Sequence, residues 1–141
     1  MEDNLHRYKN ISIANQRISS EFFALLDSEY STKVGFGKPV NLRAPNDYAQ
    51  ELNIHVNHLN RVLKKTTQKT TSQLITERIL QKARHLLKEK NWNIAEIAYS
   101  LGFKEATHFS NFFKRHTSRT PRSYRKYLNV VCYCLMDVVC L

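Results

Sequence analysis

Cysteine is missing from residues 1–131 of this 141-residue chain. The three present, Cys132, Cys134 and Cys140, crowd into the last ten positions. An odd count confined to one end excludes a disulfide framework. The six histidines are scattered, and none pairs in spacing with the tail cysteines, so no metal site is expected. Glycine and proline number only three each. That disfavours loop-rich β classes and collagen-like chains, and favours helices. The longest apolar run, 130–141, is too short to cross a bilayer and is broken by Asp137. The N-terminus MEDNLHRYKN is polar, without an apolar signal region. These absences predict a cytoplasmic protein with no metal, cofactor or membrane partner.

Carboxylates are scarce as well: 12 Asp and Glu face 22 Lys and Arg, a net charge of +10. The excess is local. Residues 46–129 hold sixteen basic and six acidic side chains, and the two ends together are close to neutral. A segment this basic predicts a polyanionic partner. With 42% apolar residues, the chain can still build a core.

Apolar residues at Ile18, Phe22, Leu25 and Leu26 repeat on one helix face and predict a helix over 13–30. Residues 1–10 read as frayed, and 31–44, with Gly35, Gly37 and Pro39, read as a linker. Asn46 is the expected cap of the next helix, with Asp47 in its first turn. Further helices are predicted near 47–52, 56–66, 71–89, 93–101, 106–116 and 121–128. The 71–89 helix carries an amphipathic stripe of Leu74, Ile75, Ile79, Ala83, Leu86 and Leu87, with Arg78, Lys82, Arg84 and Lys88 on other faces. Asn93 and Glu96 have the spacing of a capping box. Pro121 suits the first helical position after Thr120.

An internal repeat carries the strongest signal. Ala49, Leu52, Asn53 and Ile54 match Ala98, Leu101, Gly102 and Phe103 at an offset of 49 residues. Leu59, Val62, Leu63 and Lys64 match Phe109, Phe112, Phe113 and Lys114 at an offset of 50. The small alanines allow a second helix to cross closely. Leu52 and Leu101 are expected in the core. Asn53 and Gly102 are the residue types that tolerate the positive φ of a sharp inter-helix turn. The later apolar triplets anchor a second helix whose other face stays polar and basic. This pattern is a helix-turn-helix, present twice.

With those residues in place, the sequence resembles the AraC/XylS family of bacterial transcription regulators, in its C-terminal DNA-binding domain. The match is densest in Ala83-Arg84-His85-Leu86-Leu87, Ile94-Ala95-Glu96-Ile97-Ala98, His108-Phe109-Ser110-Asn111-Phe112-Phe113-Lys114-Arg115 and Thr120-Pro121-Arg122-Ser123-Tyr124-Arg125. The resemblance implies an all-α domain over 41–128. It would hold two helix-turn-helix units joined by a long connector helix, a homeodomain-like pair. It implies double-stranded DNA as partner, two successive major-groove segments read about one helical turn apart, and some bending of the duplex.

The same resemblance implies the readers. Base contacts are expected from Asn57, His58, Asn60 and Arg61 in the first recognition helix, and from Ala106, Thr107, His108 and Asn111 in the second. Arg61 can donate bidentately to guanine, asparagines can pair with adenine, and Ala106 or the Thr107 methyl can meet a thymine methyl. Phosphate contacts are expected from Lys64, Lys65, Lys114, Arg115, Arg119, Arg122 and helix N-terminal amides. Where the family usually places glycine after each recognition helix, Gln68 and Ser118 stand here, which predicts remodelled turns. His85 is expected on the connector surface without a role, and Trp92 as a packed residue.

Residues 1–40 are too few for an effector domain, so no small-molecule pocket is expected. They read as a linker helix, the remnant of or connector to an absent sensor domain. The 13–30 face could also serve weak dimerisation. The tail, 129–141, lies outside the family pattern and reads as apolar and β-prone. Stand-alone regulator, truncated product and fragment all stay open, the last two favoured. The functional expectation is a sequence-specific transcription regulator, an activator that also touches RNA polymerase. The alternative is a truncated module that binds a full-length regulator through Phe22, Leu25 and Leu26. An enzyme is not expected: no carboxylate pair, phosphate loop or nucleophile with its base stands out, and no cysteine has a basic setting.

Overall fold

The computed structural model describes residues 2–31, 39–89 and 91–139, with side chains described over 11–30, 39–89 and 91–131. Every described element is a helix: α1 (Glu2–Ser31), α2 (Pro45–Glu51), α3 (Val56–Thr67), α4 (Thr71–Lys88), α5 (Ile94–Ser100), α6 (Ala106–Thr117) and α7 (Pro121–Val139). Two compact units divide the chain. One holds α1, α2, α3 and α4 as far as Arg78; the other takes α4 from Ile79 together with α5, α6 and α7.

In the first unit, Tyr48, Leu59 and Leu63 have no exposed surface. Phe22 of α1 joins them and meets the Tyr48 ring edge-on at 5.2 Å. Leu26 and Tyr30 continue that buried stripe. Of the α1 face that the sequence offers for dimerisation or for a partner regulator, Phe22 and Leu26 pack within the unit, and Leu25 is half-buried. Asp27 pairs with Arg78. The buried Glu29 carboxylate accepts the backbone N–H of Asn41 at 3.1 Å and of Leu42 at 3.4 Å, tying the end of α1 to the strand of chain that enters α2. Tyr48 donates its hydroxyl to the Leu42 carbonyl at 3.0 Å. Burial pushes the Tyr30 and Tyr48 phenols above their ordinary range, so both stay neutral.

In the second unit, Ile97, Leu101, Phe109 and Phe113 are fully buried. Phe113 packs edge-on against Tyr124 of α7 at 5.4 Å. Arg125 of α7 reaches the backbone carbonyls of Leu87 at 3.0 Å and Trp92 at 2.6 Å. It thereby supplies donors to the open carbonyl end of α4 and the loop that follows. Trp92 is packed, and His85 sits exposed beside Glu89.

Local signals hold where they are strong. Asn93 accepts from the Glu96 N–H at 2.8 Å, and Glu96 accepts from the Asn93 N–H at 2.9 Å, the reciprocal box the spacing predicts. Thr120 caps α7 by accepting from the Ser123 N–H at 3.1 Å. Asn46 does not cap α2. Pro45, which has no N–H to satisfy, occupies the first turn, so the cap moves back to Ala44. The Asp47 carboxylate reaches back instead, accepting from the N–H groups of Arg43 and Ala44 at 3.0 and 2.8 Å. Leu52 is only half-buried, whereas its counterpart Leu101 is fully enclosed.

Both ends differ from expectation in the same way. Residues 2–10 are helical, not frayed, and α7 runs on through the β-prone tail to Val139. Once a helix is nucleated, each added residue closes one bond, and strand preference is realised only where a sheet exists to join. The linker residues 32–38 and the side chains of Cys132, Cys134 and Cys140 lie outside the described residues.

The turns after the recognition helices are not remodelled. Gln68 (φ 63°) and Ser118 (φ 64°) both adopt the left-handed conformation that glycine would take. The preceding threonines bracket each turn. Thr67 donates its hydroxyl to the Leu63 carbonyl at 2.6 Å and accepts the Lys69 N–H at 3.2 Å. Thr117 does the same with Phe113 at 2.7 Å and Arg119 at 3.4 Å. Side chain and backbone together hold φ positive against its steric cost.

Two outcomes follow for stability. Gln68→Gly and Ser118→Gly each remove a left-handed penalty and should stabilise the protein by about 1 kcal/mol in urea unfolding. Phe22→Ala should cost about 3–5 kcal/mol in the same assay, as for other buried aromatics. A cost of a few tenths would mean that α1 is not integral to the first unit.

Candidate nucleic-acid interface

The two helix-turn-helix corners share one backbone design. Ile54 donates its N–H to the Ala49 carbonyl at 3.0 Å, and Phe103 donates to the Ala98 carbonyl at 2.9 Å. Between them Asn53 (φ 54°) and Gly102 (φ 85°) take the positive φ that the sharp turn demands. α3 and α6 then begin 50 residues apart and both run for 12 residues.

Each recognition helix is hung on one buried stripe. In α3 these are Leu59, Val62 and Leu63; in α6 they are Phe109 and Phe113, with Phe112 half-buried against Phe103. Helical geometry then turns the intervening positions outward. Asn57, Asn60, Arg61, Lys64 and Lys65 are exposed on α3, and His58 is half-exposed. Thr107, His108, Asn111, Lys114 and Arg115 are exposed on α6, with Ala106 half-buried at its start.

Not all of these face one way. Asn57, Asn60, Arg61 and Lys64 share a hollow of about 470 Å³ with Thr70, Thr71 and Ser72 at the start of α4. Lys65 points elsewhere, into a groove of about 370 Å³ against Ile11, Ser12, Asn15 and Gln16 of α1. On the second unit, Ala106 and Thr107 line a hollow of about 710 Å³ with Asn93, Ile94, Pro121 and Arg122. His108 stands outside it, 3.8 Å from Glu105. Arg119 lies over the exposed Tyr127 ring at 4.3 Å, a cation–π contact.

The first site contains partners the sequence reading missed. His55 caps α3, its Nδ1 accepting the Asn57 N–H at 3.2 Å. The Arg61 guanidinium lies 3.3 Å from His58 Nδ1. Lys64 donates to the Gln68 carbonyl at 3.3 Å. Thr71, itself buried, donates its hydroxyl to Asn60 Oδ1 at 2.7 Å. Alignment of the two copies beyond Lys64 and Lys114 could have drawn attention to Thr67 and Thr117, since the 50-residue offset continues there; Thr71 falls opposite Pro121 and carries no such signal.

The outward surfaces are rich in donors and poor in carboxylates, which suits an anionic or acceptor-lined partner. Among the described residues no group of His, Cys, Asp and Glu could hold a metal ion, and no helix is long and apolar enough to cross a membrane.

The family profile described as "Helix-turn-helix domain" matches residues 48–127. The chain is 35% identical over 78 residues to the HTH-type transcriptional activator RhaS of Escherichia coli, and 36% identical over the same length to RhaS of Salmonella arizonae. Each match covers 55% of this chain and 28% of the relative, so the chain spans under a third of those proteins. Among solved structures, an AraC-type transcriptional regulator from Chromobacterium violaceum superposes with a TM-score of 0.62 at 24% identity, covering 81% of this chain and 94% of that one. The DNA-binding domain of AdpA, in complex with a target DNA, superposes with a TM-score of 0.64 at 15% identity, covering 80% and 93%. The repeated helix-turn-helix, the continuous α4 and the matched 48–127 segment agree: this chain belongs to the AraC/XylS family of DNA-binding transcription regulators, through its two-fold helix-turn-helix domain.

Proposed function

We propose that this chain binds a specific duplex-DNA site, with α3 and α6 each entering a major-groove segment, and that it activates transcription. The observation that carries this reading is the buried stripe of each recognition helix, which leaves an outward face of hydrogen-bond donors at 50-residue repeats. Asn57, His58, Asn60 and Arg61 read one block of bases; Ala106, Thr107, His108 and Asn111 read the other. Lys64, Lys114, Arg115, Arg119 and Arg122 hold phosphates, and Lys65 does so from the α1 flank. The activator role, with RNA polymerase as a second partner, draws on the activator relatives, and a DNA partner implies work at the bacterial nucleoid. That the AdpA domain, of the same fold, is seen in complex with a target DNA supports DNA as the partner.

Selection from random duplex DNA at two salt concentrations tests the reading. An asymmetric site with two enriched blocks about 10 base pairs apart is expected. Salt-sensitive binding without enrichment would reduce the chain to non-specific contact. Arg61→Ala should lose about 1–3 kcal/mol on the selected site and relax preference at one base pair. Lys114→Ala should weaken binding evenly across sequences and lower the salt slope by about one counterion.

A further inference from the structure

We propose that Thr71 fixes Asn60 as a one-sided hydrogen-bond donor, and so makes guanine, not adenine, the base that Asn60 prefers. The inference rests on the DNA-reading function above. A free asparagine pairs with adenine because its oxygen accepts from N6 while its nitrogen donates to N7. Both edges of the amide must then lie in the plane of the base.

The orientation of the Asn60 amide is already fixed, and one of the two acceptor positions on its oxygen is taken. Its Oδ1 accepts the hydroxyl proton of Thr71 at 2.7 Å, and Thr71 is only 1% exposed. The hydroxyl has one proton, and this bond uses it. Losing the bond would strand a buried hydroxyl, so the pairing is held. Thr71 is itself fixed as the first residue of α4. Thr70 accepts from the Gln73 N–H at 3.1 Å and Gln73 accepts from the Thr70 N–H at 2.9 Å, a reciprocal cap that locks this turn. The amide oxygen is therefore held on Thr71, which lines the same hollow as Asn60. The NH₂ group, on the opposite edge, is left toward the hollow that Asn57, Arg61 and Lys64 also line.

Arg61 and Lys64 offer that hollow donors alone, and Asn60 adds its NH₂. Guanine presents two acceptors in the major groove, N7 and O6, with no donor between them; adenine presents a donor at N6 that would face the Asn60 NH₂. The second unit lacks the device. At the 50-residue offset, Ser110 stands for Asn60 and Pro121 for Thr71. Asn111 is exposed and keeps both amide edges, so it retains the adenine preference. Two asparagines on equivalent helices thus read different bases.

The test is affinity on a selected site in which every base pair is varied, for the full chain and its variants. Asn60→Ala first identifies the position that Asn60 reads. The unaltered protein should favour guanine over adenine there by at least about fivefold, the low end of one base contact. Thr71→Val keeps the shape and removes the hydroxyl; the ratio should fall below about twofold at that position alone. Thr71→Ser keeps the hydroxyl and should keep the preference. A preference for adenine in the unaltered protein overturns the proposal even if Thr71→Val fails to fold. So does an unchanged ratio in Thr71→Val, or an Asn60→Ala that alters no position. Failure of the unaltered chain to select any site would instead remove the DNA-reading function on which this rests.

Discussion

Two fully buried residues, four apart on each recognition helix, set everything else. Leu59 and Leu63 fasten α3, and Phe109 and Phe113 fasten α6. Each such side chain contributes about 1.5–3 kcal/mol through removal from water. More importantly, the pair fixes the rotation of its helix. A helix pinned along one stripe has no choice about which residues it presents on the other. The donors at 57, 60, 61 and 64, and those at 107, 111 and 114, face out because the apolar residues face in.

The second constraint is the sharpness of the corners. A helix-turn-helix needs one residue at positive φ before the recognition helix, and here a second left-handed residue follows it. Asn53 and Gly102 are suited to the first position. Gln68 and Ser118 are not suited to the second, and the threonine before each supplies side-chain bonds that hold the turn. The repeat thus conserves geometry between its two copies where residue identity differs. It diverges at Thr71 and Asn60, which face Pro121 and Ser110 in the second copy.

The first unit is more than a minimal helix-turn-helix. Phe22, Leu26 and Tyr30 complete its core from α1, and Glu29 anchors the entry to α2. A residue pattern that reads as a linker helix in isolation is a structural wall once its partners are present. In the second unit the closing role falls to α7, with Tyr124 against Phe113 and Arg125 across the end of α4. The two units have different braces around the same helix-turn-helix.

The all-helical class, the two corners, the Asn93 box and the polar faces of α3 and α6 were legible in the chain because each depends on spacing within one or two turns. Periodicity decides which side of a helix is apolar before any neighbour is known. The destination of that apolar side was not legible. Nothing in the order of residues says that Phe22 meets Tyr48, that Arg125 caps α4, or that Asn60 gives its oxygen to Thr71. Those are contacts between elements, selected by which surfaces the fold brings together. Gln68 and Ser118 were misjudged for a different reason: residue preference argues against their left-handed angles, and the local bonds of Thr67 and Thr117 impose them. Sequence alone determined the central helices and the faces they offer, because periodicity is local; tertiary structure decided which of those faces were buried and which polar groups found partners, because those contacts join distant elements.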